Sequence, residues 1–240
     1  MAGATTNTQR MTLADKVTST RLIIAPVFFV VYLLPRFFPS VFGIAHNGGE
    51  AASTFVGARW TVPILWIIFV VSEITDMLDC MIARKRGEVS DFGKLFDPFA
   101  DTLTQLTYFL CFVLDGILSP ILYLAVIYRE FSILLVRNLM LKKGIALGAR
   151  MGGKIKTITY ILAAGLALLV SSMVRLGIGG SFYHVLTVIA VVVFIISVIL
   201  AALSFFDYIG VYRKAASDPS KKQEKSVKFS KKSRKMIKNP

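Results

Sequence analysis

The sequence has few of the residues that build disulfide frameworks and soft-metal sites, with only two cysteines and two histidines among its 240 residues. Cys80 and Cys111 both lie in apolar segments and lack the spacing of a disulfide framework. Neither a disulfide scaffold nor a cysteine-ligated zinc centre is therefore expected. A strict alternation of apolar and polar residues is also missing, as is a solenoid-like repeat, so neither a membrane barrel nor a repeat array is predicted.

Charged residues are scarce as well, at 18% of the chain, whereas 55% of the residues are hydrophobic. This composition is too apolar for an ordinary soluble domain and indicates an integral membrane protein. Six apolar runs reach the length of about 20 residues that a helix needs to cross a bilayer. The predicted fold class is an all-α membrane protein, a six-transmembrane-helix bundle with spans near residues 20–42, 60–83, 97–118, 120–141, 155–176 and 183–210.

Acidic residues are half as numerous as basic ones, 14 against 28, which gives a net charge of +14. If the N-terminus is cytoplasmic, 23 of the 28 basic residues lie on the cytoplasmic side or at that edge of the membrane, as the positive-inside rule requires. Both termini are therefore predicted to be cytoplasmic, in a multi-pass protein of the cell (cytoplasmic) membrane. The charge indicates anionic membrane lipids as partners, and no nucleic acid.

The chain divides by composition into a membrane domain, residues 1–214, and a basic tail, residues 215–240. The tail is rich in lysine and poor in apolar residues, so we expect it to be disordered and to lie on anionic lipid. A tail that only fixes topology and solubility is the alternative. The first dozen residues lack the pattern of a cleaved signal peptide, so the first apolar run is interpreted as a permanent span.

Four carboxylates stand at the edges of two apolar runs in the segment DMLDCMIARKRGEVSDFGKLFDPFAD. Asp76 and Asp79 are three residues apart, and Asp97 and Asp101 are four apart, so each pair lies on one face of a helix. The charged loop between them predicts a hairpin that brings the pairs together. Oxygen ligands of this kind suit Mg²⁺ or Mn²⁺, and two such ions can neutralise a diphosphate during displacement at phosphorus. Ordinary helix-end carboxylates paired with nearby Arg and Lys are the alternative.

The same segment, read as D-x-x-D-C-x-x-A-R, eight residues and then G-x-x-x-D-x-x-x-D, resembles the signature of the CDP-alcohol phosphotransferase family (CDP-alcohol phosphatidyltransferase class I). Cys80 replaces the glycine of that signature. The resemblance implies a six-helix membrane enzyme, commonly a homodimer, whose four aspartates hold two divalent ions. Asp101 would be the general base that deprotonates the acceptor hydroxyl while CMP leaves. The positions implied to border the nucleotide are Asp79, Cys80, Ala83, Arg84 and Gly93.

Further stretches resemble one branch of this family, the bacterial phosphatidylglycerophosphate synthases. They are LADKVTSTRLIIAPVFF, with Lys16, Thr18, Arg21 and Pro26 at the matching positions and Asp15 in place of an asparagine, then FGKLFDPFAD, the Arg129-Glu130 pair and GGKIKT. The branch implies transfer of a phosphatidyl group from CDP-diacylglycerol to glycerol 3-phosphate.

A glycerol 3-phosphate acceptor carries a dianion, which needs fixed positive charge. Arg129 lies within an apolar run, where a guanidinium is costly unless it is paired, and Glu130 is its predicted partner. Lys154 and Lys156 stand at the start of the fifth helix, whose N-terminus adds partial positive charge. These three basic residues are the candidate phosphate ligands. The alternatives are a structural ion pair for Arg129 and the positive-inside rule for the lysines.

Three other functions remain open at this point. The same chemistry could serve inositol phosphate or serine, or pass a headgroup from CDP-choline or CDP-ethanolamine to diacylglycerol. Intramembrane carboxylates also occur in divalent-cation transporters, although the acids here cluster at one edge and do not cross the bilayer. A membrane scaffold without catalytic activity is the third possibility.

Overall fold

The computed structural model describes residues 13–38, 58–86, 93–142 and 151–217, at some helix ends by the backbone alone. This part of the chain forms six α-helices and contains no strand, which confirms the all-α prediction. Each predicted span falls largely on one helix. The tail from residue 218 onward lies outside the described residues. The helices are α1 Leu13–Phe37, α2 Thr61–Arg86, α3 Gly93–Leu114, α4 Pro120–Lys142, α5 Met151–Leu176 and α6 Ser181–Ser217.

Three of these helices contain segments long and apolar enough to cross a membrane: Ser19–Phe37 in α1, Ile155–Leu176 in α5 and Ser181–Gly210 in α6. The outer faces of the helices are also apolar. Ile121 on α4 is 80% exposed, and Leu203 on α6 is 61% exposed. In water such a surface would be costly over so large an area. The exterior therefore has the character of a protein surrounded by lipid.

Helix α3 connects the two halves of the bundle. On one side it packs against α1, where the rings of Phe28 and Tyr108 lie with centroids 4.6 Å apart. On the other side Phe109 contacts the ring of Phe194 on α6 at 5.0 Å and that of Tyr160 on α5 at 5.3 Å. All five rings are buried. Aromatic pairs in these geometries add to the stabilisation that burial alone provides.

Glycines end α3 and α5 in the same way. Gly116 and Gly177 have φ angles of 73° and 71°, the left-handed conformation that a side chain disfavours. In each case the following residue donates its amide hydrogen to a carbonyl five residues earlier, from Ile117 to Phe112 at 3.0 Å and from Ile178 to Met173 at 2.9 Å. These bonds satisfy carbonyls that the helix leaves unpaired, and they turn the chain sharply.

Arg175 organises a polar cluster at the end of the bundle where α3 and α5 terminate. Its side chain is fully buried and donates hydrogen bonds to the Thr61 hydroxyl at 2.8 Å, the Tyr32 carbonyl at 3.0 Å and the Ser171 hydroxyl at 3.3 Å. The guanidinium carbon also lies 4.4 Å from the centre of the Tyr32 ring. Asp115 supplies a negative charge to the cluster, because its carboxylate accepts hydrogen bonds from Tyr32 and Ser171. We call these five residues the distal cluster.

We predict that Arg175→Met destabilises the protein, because it leaves the Tyr32 carbonyl and the Thr61 hydroxyl buried without their donor. The expected loss is about 1–3 kcal/mol of unfolding free energy. Thermal unfolding in detergent measures it. Arg59→Met, at an exposed arginine near the same end, is the matched control and should change stability by less than about 0.5 kcal/mol. Equal stability of the two variants would contradict the role assigned to Arg175.

Candidate active site

The predicted aspartate site lies at the opposite end of the bundle from the distal cluster. Asp76 projects from the second half of α2, and Asp101 from the first half of α3. The carboxylates meet at one guanidinium: Nη1 of Arg21 donates a hydrogen bond to Oδ1 of Asp76 at 2.5 Å and another to Oδ1 of Asp101. The structure therefore brings together two of the four predicted ligands, from helices joined by the charged loop.

Asp97 lies one turn before Asp101 on α3 and contributes to the electrostatic environment of the Asp101 carboxylate. The predicted pairing of these two residues on one helix face follows from their spacing of four. Among the side chains that the structure describes, no group of three or more His, Cys, Asp or Glu is arranged to hold a metal ion.

The remaining predicted residues of this segment stay predictions. The backbone of Asp79, Cys80, Ala83 and Arg84 belongs to α2, and Gly93 begins α3, which agrees with a hairpin of two helices. Their side chains lie outside the described part of the chain. These residues are Asp79, Cys80, Ala83, Arg84 and Gly93.

Arg21 also belongs to this site, although the sequence indicated it only as part of the amino-terminal pattern. Its side chain is 3% exposed, whereas those of Asp76 and Asp101 are 31% and 38% exposed. The carboxylates therefore retain contact with the surroundings, while the guanidinium is enclosed behind them. A basic residue within an apolar run was the available signal, because such a residue needs an acidic partner. Sequence spacing could not say which partner it finds.

Glu73 is another residue of this region that the sequence left unassigned. It lies one turn before Asp76 on α2, and the charges that act on it most are those of Asp76 and Arg21. Glu73 therefore belongs to the acidic surroundings of the site. The distance between Glu73 and Asp76 in the sequence, three residues, places them on one helix face.

Glu130 is the centre of a second charged cluster. Its Oε1 accepts hydrogen bonds from Nη1 of Arg129 and from Nζ of Lys156, both at 2.7 Å. Arg129 also donates through Nε to the carbonyl of Ala201 on α6 at 2.9 Å, and the Lys156 ammonium lies 4.5 Å from the centre of the Tyr160 ring. We call Arg129, Glu130 and Lys156 the basic triad.

The predicted pairing of Glu130 with Arg129 is confirmed. The structure also brings Lys156 to them, so that α4 and α5 share one ion cluster with α6 against it. Two positive charges face one negative charge, and a net positive charge remains. The side chain of Lys154, the third predicted phosphate ligand, lies outside the described residues.

The fold and these clusters define an apolar, all-helical protein with an acidic site at one end and a nearly buried basic triad on α4 and α5. Comparison with known protein families identifies this class: residues 11–203 match the family described as CDP-alcohol phosphatidyltransferase. This match covers more than half of the chain. The chain belongs to the CDP-alcohol phosphatidyltransferase family.

Curated relatives are similar over most of their length. A CDP-diacylglycerol–glycerol-3-phosphate 3-phosphatidyltransferase of Treponema pallidum is 33% identical over 203 residues, which cover 84% of this chain and 89% of the relative. A protein of the same name from Bacillus subtilis is 30% identical over 65% of this chain and 76% of its own length. A probable phosphatidylglycerophosphate synthase of Mycobacterium tuberculosis is 28% identical over 82% of this chain and 79% of its own.

Proposed function

We propose that this protein transfers a phosphatidyl group from CDP-diacylglycerol to sn-glycerol 3-phosphate, forming phosphatidylglycerophosphate and releasing CMP. The observation that carries the proposal is the convergence of Asp76 and Asp101, from two helices, within the region that matches the family. The names of the relatives from Treponema pallidum and Bacillus subtilis support glycerol 3-phosphate as the acceptor.

The four aspartates, Asp76, Asp79, Asp97 and Asp101, are proposed to hold two divalent cations, Mg²⁺ or Mn²⁺. The donor chemistry fits, because carboxylate oxygens are the ligands that hard divalent cations prefer. The geometry of the described pair fits as well, since Asp76 and Asp101 already converge on a positively charged group. Bound ions would neutralise the diphosphate of the donor and stabilise the charge that develops at phosphorus.

Asp101 is proposed to be the general base. Its carboxylate takes the proton of the acceptor hydroxyl, the hydroxyl oxygen bonds to the phosphorus of the phosphatidyl group, and the bond from that phosphorus to the oxygen of CMP breaks. The Asp101 side chain is the more exposed of the two described carboxylates, at 38% against 31% for Asp76. An incoming hydroxyl can therefore reach the Asp101 carboxylate.

The basic triad is proposed to bind the phosphate of the acceptor, with Lys154 as an additional ligand. One carboxylate, Glu130, compensates only one of the two positive charges of Arg129 and Lys156. An incoming dianion would therefore be attracted to the cluster. Glu130 keeps the two basic side chains in place before the phosphate arrives, which reduces the entropy lost on binding.

All six helices are proposed to cross the membrane, with both termini in the cytoplasm and the active site at the cytoplasmic face. The excess of Lys and Arg at the end that carries the aspartates supports this orientation. The site would then lie where a water-soluble acceptor meets a lipid-borne donor. Residues 215–240 would rest on anionic lipid, and the protein would act as a homodimer, as the family resemblance implies.

We predict that the purified protein releases CMP when supplied with Mg²⁺, CDP-diacylglycerol and glycerol 3-phosphate in detergent. Inositol phosphate and serine, offered separately, should give no release above the acceptor-free blank, and neither should CDP-choline with diacylglycerol. A product that migrates as phosphatidylglycerophosphate identifies the transfer. Release with another acceptor and none with glycerol 3-phosphate would replace the proposed acceptor while leaving the chemistry in place.

We predict that Asp101→Asn lowers the rate of CMP release by about 10³-fold or more, because an amide cannot accept the proton of the acceptor hydroxyl. Size-exclusion chromatography and thermal unfolding establish that the variant remains folded. Asp207→Asn removes an exposed carboxylate on α6 and serves as the matched control. Full activity of Asp101→Asn would refute its assignment as the base.

We predict that Lys156→Met raises the KM for glycerol 3-phosphate by about tenfold, because one charge-assisted contact to the phosphate is lost. The KM for CDP-diacylglycerol should change much less. Arg59→Met, at the other end of the bundle, controls for the loss of a positive charge in general. An unchanged KM for glycerol 3-phosphate in Lys156→Met would count against the basic triad as the phosphate site.

A further inference from the structure

Arg21 occupies the position between the two carboxylates that the proposed function assigns to cations. It reaches this position from α1, which is distant in sequence from both partners: 55 residues separate it from Asp76 and 80 from Asp101. Its side chain is almost completely buried, so the ion contacts are made largely without water. A guanidinium that joins two carboxylates in this way is a substitute for a bound cation.

We propose that Arg21 is a built-in counter-ion that holds Asp76 and Asp101 together in the metal-free protein and is displaced when a divalent cation binds. The inference rests on the proposed function, since it takes the aspartates to be metal ligands. Arg21 is a positioning residue in this scheme: it acts on the ligands and takes no part in the transfer itself.

The charges around the guanidinium explain why such a residue is needed. Arg21 contacts Asp76 and Asp101, and the charges of Glu73 and Asp97 add to the negative potential at these two carboxylates. Carboxylates that converge in an apolar bundle repel one another and lose hydration. Without metal and without Arg21, the carboxylates of Asp76 and Asp101 would repel one another with no positive charge between them. The guanidinium therefore keeps the ligands assembled before the cations arrive.

The contact of Arg21 with Asp76 and Asp101 also lowers the affinity of these aspartates for metal. A cation that approaches Asp76 and Asp101 must break both hydrogen bonds to Nη1 before it can use the same Oδ1 atoms. Arg21 thus lowers the affinity for metal while it stabilises the metal-free fold. A clamp that serves only to join the helices would have no such effect, because it would leave the ligand atoms available. The affinity for metal therefore distinguishes the two roles.

The test is a titration of the full-length protein in detergent with Mn²⁺ alone, followed by the loss of the free-ion signal in electron paramagnetic resonance. We expect Arg21→Gln to bind Mn²⁺ about tenfold more tightly than the wild type. In EDTA the variant should have a lower Tm than the wild type, and saturating Mn²⁺ should narrow this difference. Equal or weaker Mn²⁺ binding by Arg21→Gln would overturn the inference.

The matched control is Arg137→Gln on α4. Arg137 is a partly buried arginine whose guanidinium donates to the Tyr208 hydroxyl at 3.2 Å and lies 5.6 Å from the centre of that ring. Its removal should leave the affinity for Mn²⁺ unchanged. An equal gain in affinity in both variants would show a general effect of positive charge and would also overturn the inference.

A second measurement needs no variant and covers the case in which Arg21→Gln does not fold. The wild-type protein is labelled with phenylglyoxal, an arginine reagent, with and without Mn²⁺, and the modification of Arg21 is read by peptide mass spectrometry. Displacement from the carboxylates should increase labelling of Arg21 when Mn²⁺ is present. Unchanged or reduced labelling contradicts displacement.

These experiments contain neither donor nor acceptor, so they are independent of the transfer reaction. Absence of Mn²⁺ binding in both wild type and Arg21→Gln would overturn the inference along with the proposed metal site. Mn²⁺ binding that Arg21 weakens, together with no CMP release, would support the inference and overturn the proposed function.

Discussion

The structure depends on the pairing of charge inside a bundle that is otherwise apolar. Burying a charge without a partner costs more free energy than the packing of one side chain contributes. Each charged group must therefore find an opposite charge or several hydrogen-bond partners on another helix. Arg21, Glu130 and Arg175 do this at three places, and each is almost completely buried. Apolar contacts alone would allow the helices to slide or rotate against one another. These pairings fix their register.

The acidic site and the distal cluster both lie along the interface between α1 and α3. Arg21 and Tyr32 are 11 residues apart on α1, which is close to three full turns, so both point toward α3. From Asp101 to Asp115 the chain of α3 advances about 21 Å, again to nearly the same face. The Phe28 and Tyr108 rings fill the space between. The interface of α1 and α3 is therefore polar at both ends and aromatic in its middle, and the distal cluster positions the helix that carries Asp101.

Periodicity allowed the helices and the paired aspartates to be predicted, because both follow from local spacing. The Arg129 and Glu130 pairing was also predictable, since the residues are adjacent and a guanidinium in an apolar run needs an acid. The contacts of Arg21 were not, because they join three helices across 55 and 80 residues, and no local rule selects among the acids available. The distal cluster was not predicted for the same reason: its members come from distant parts of the chain, and Arg175 lies fully buried in α5.

The acidic site has an excess of negative charge and the basic triad an excess of positive charge, and this difference favours one orientation of the proposed acceptor. Among the described side chains, the two carboxylates of Asp76 and Asp101 outweigh the single charge of Arg21, which leaves an excess of negative charge that attracts cations. Arg129 and Lys156 outweigh Glu130 and leave an excess of positive charge that attracts anions. Glycerol 3-phosphate is itself asymmetric, with a dianion at one end and hydroxyl groups at the other. Its phosphate would be repelled by the carboxylates and attracted by the triad. The hydroxyl end is then the end left to face Asp101, so charge alone favours the orientation that transfer requires.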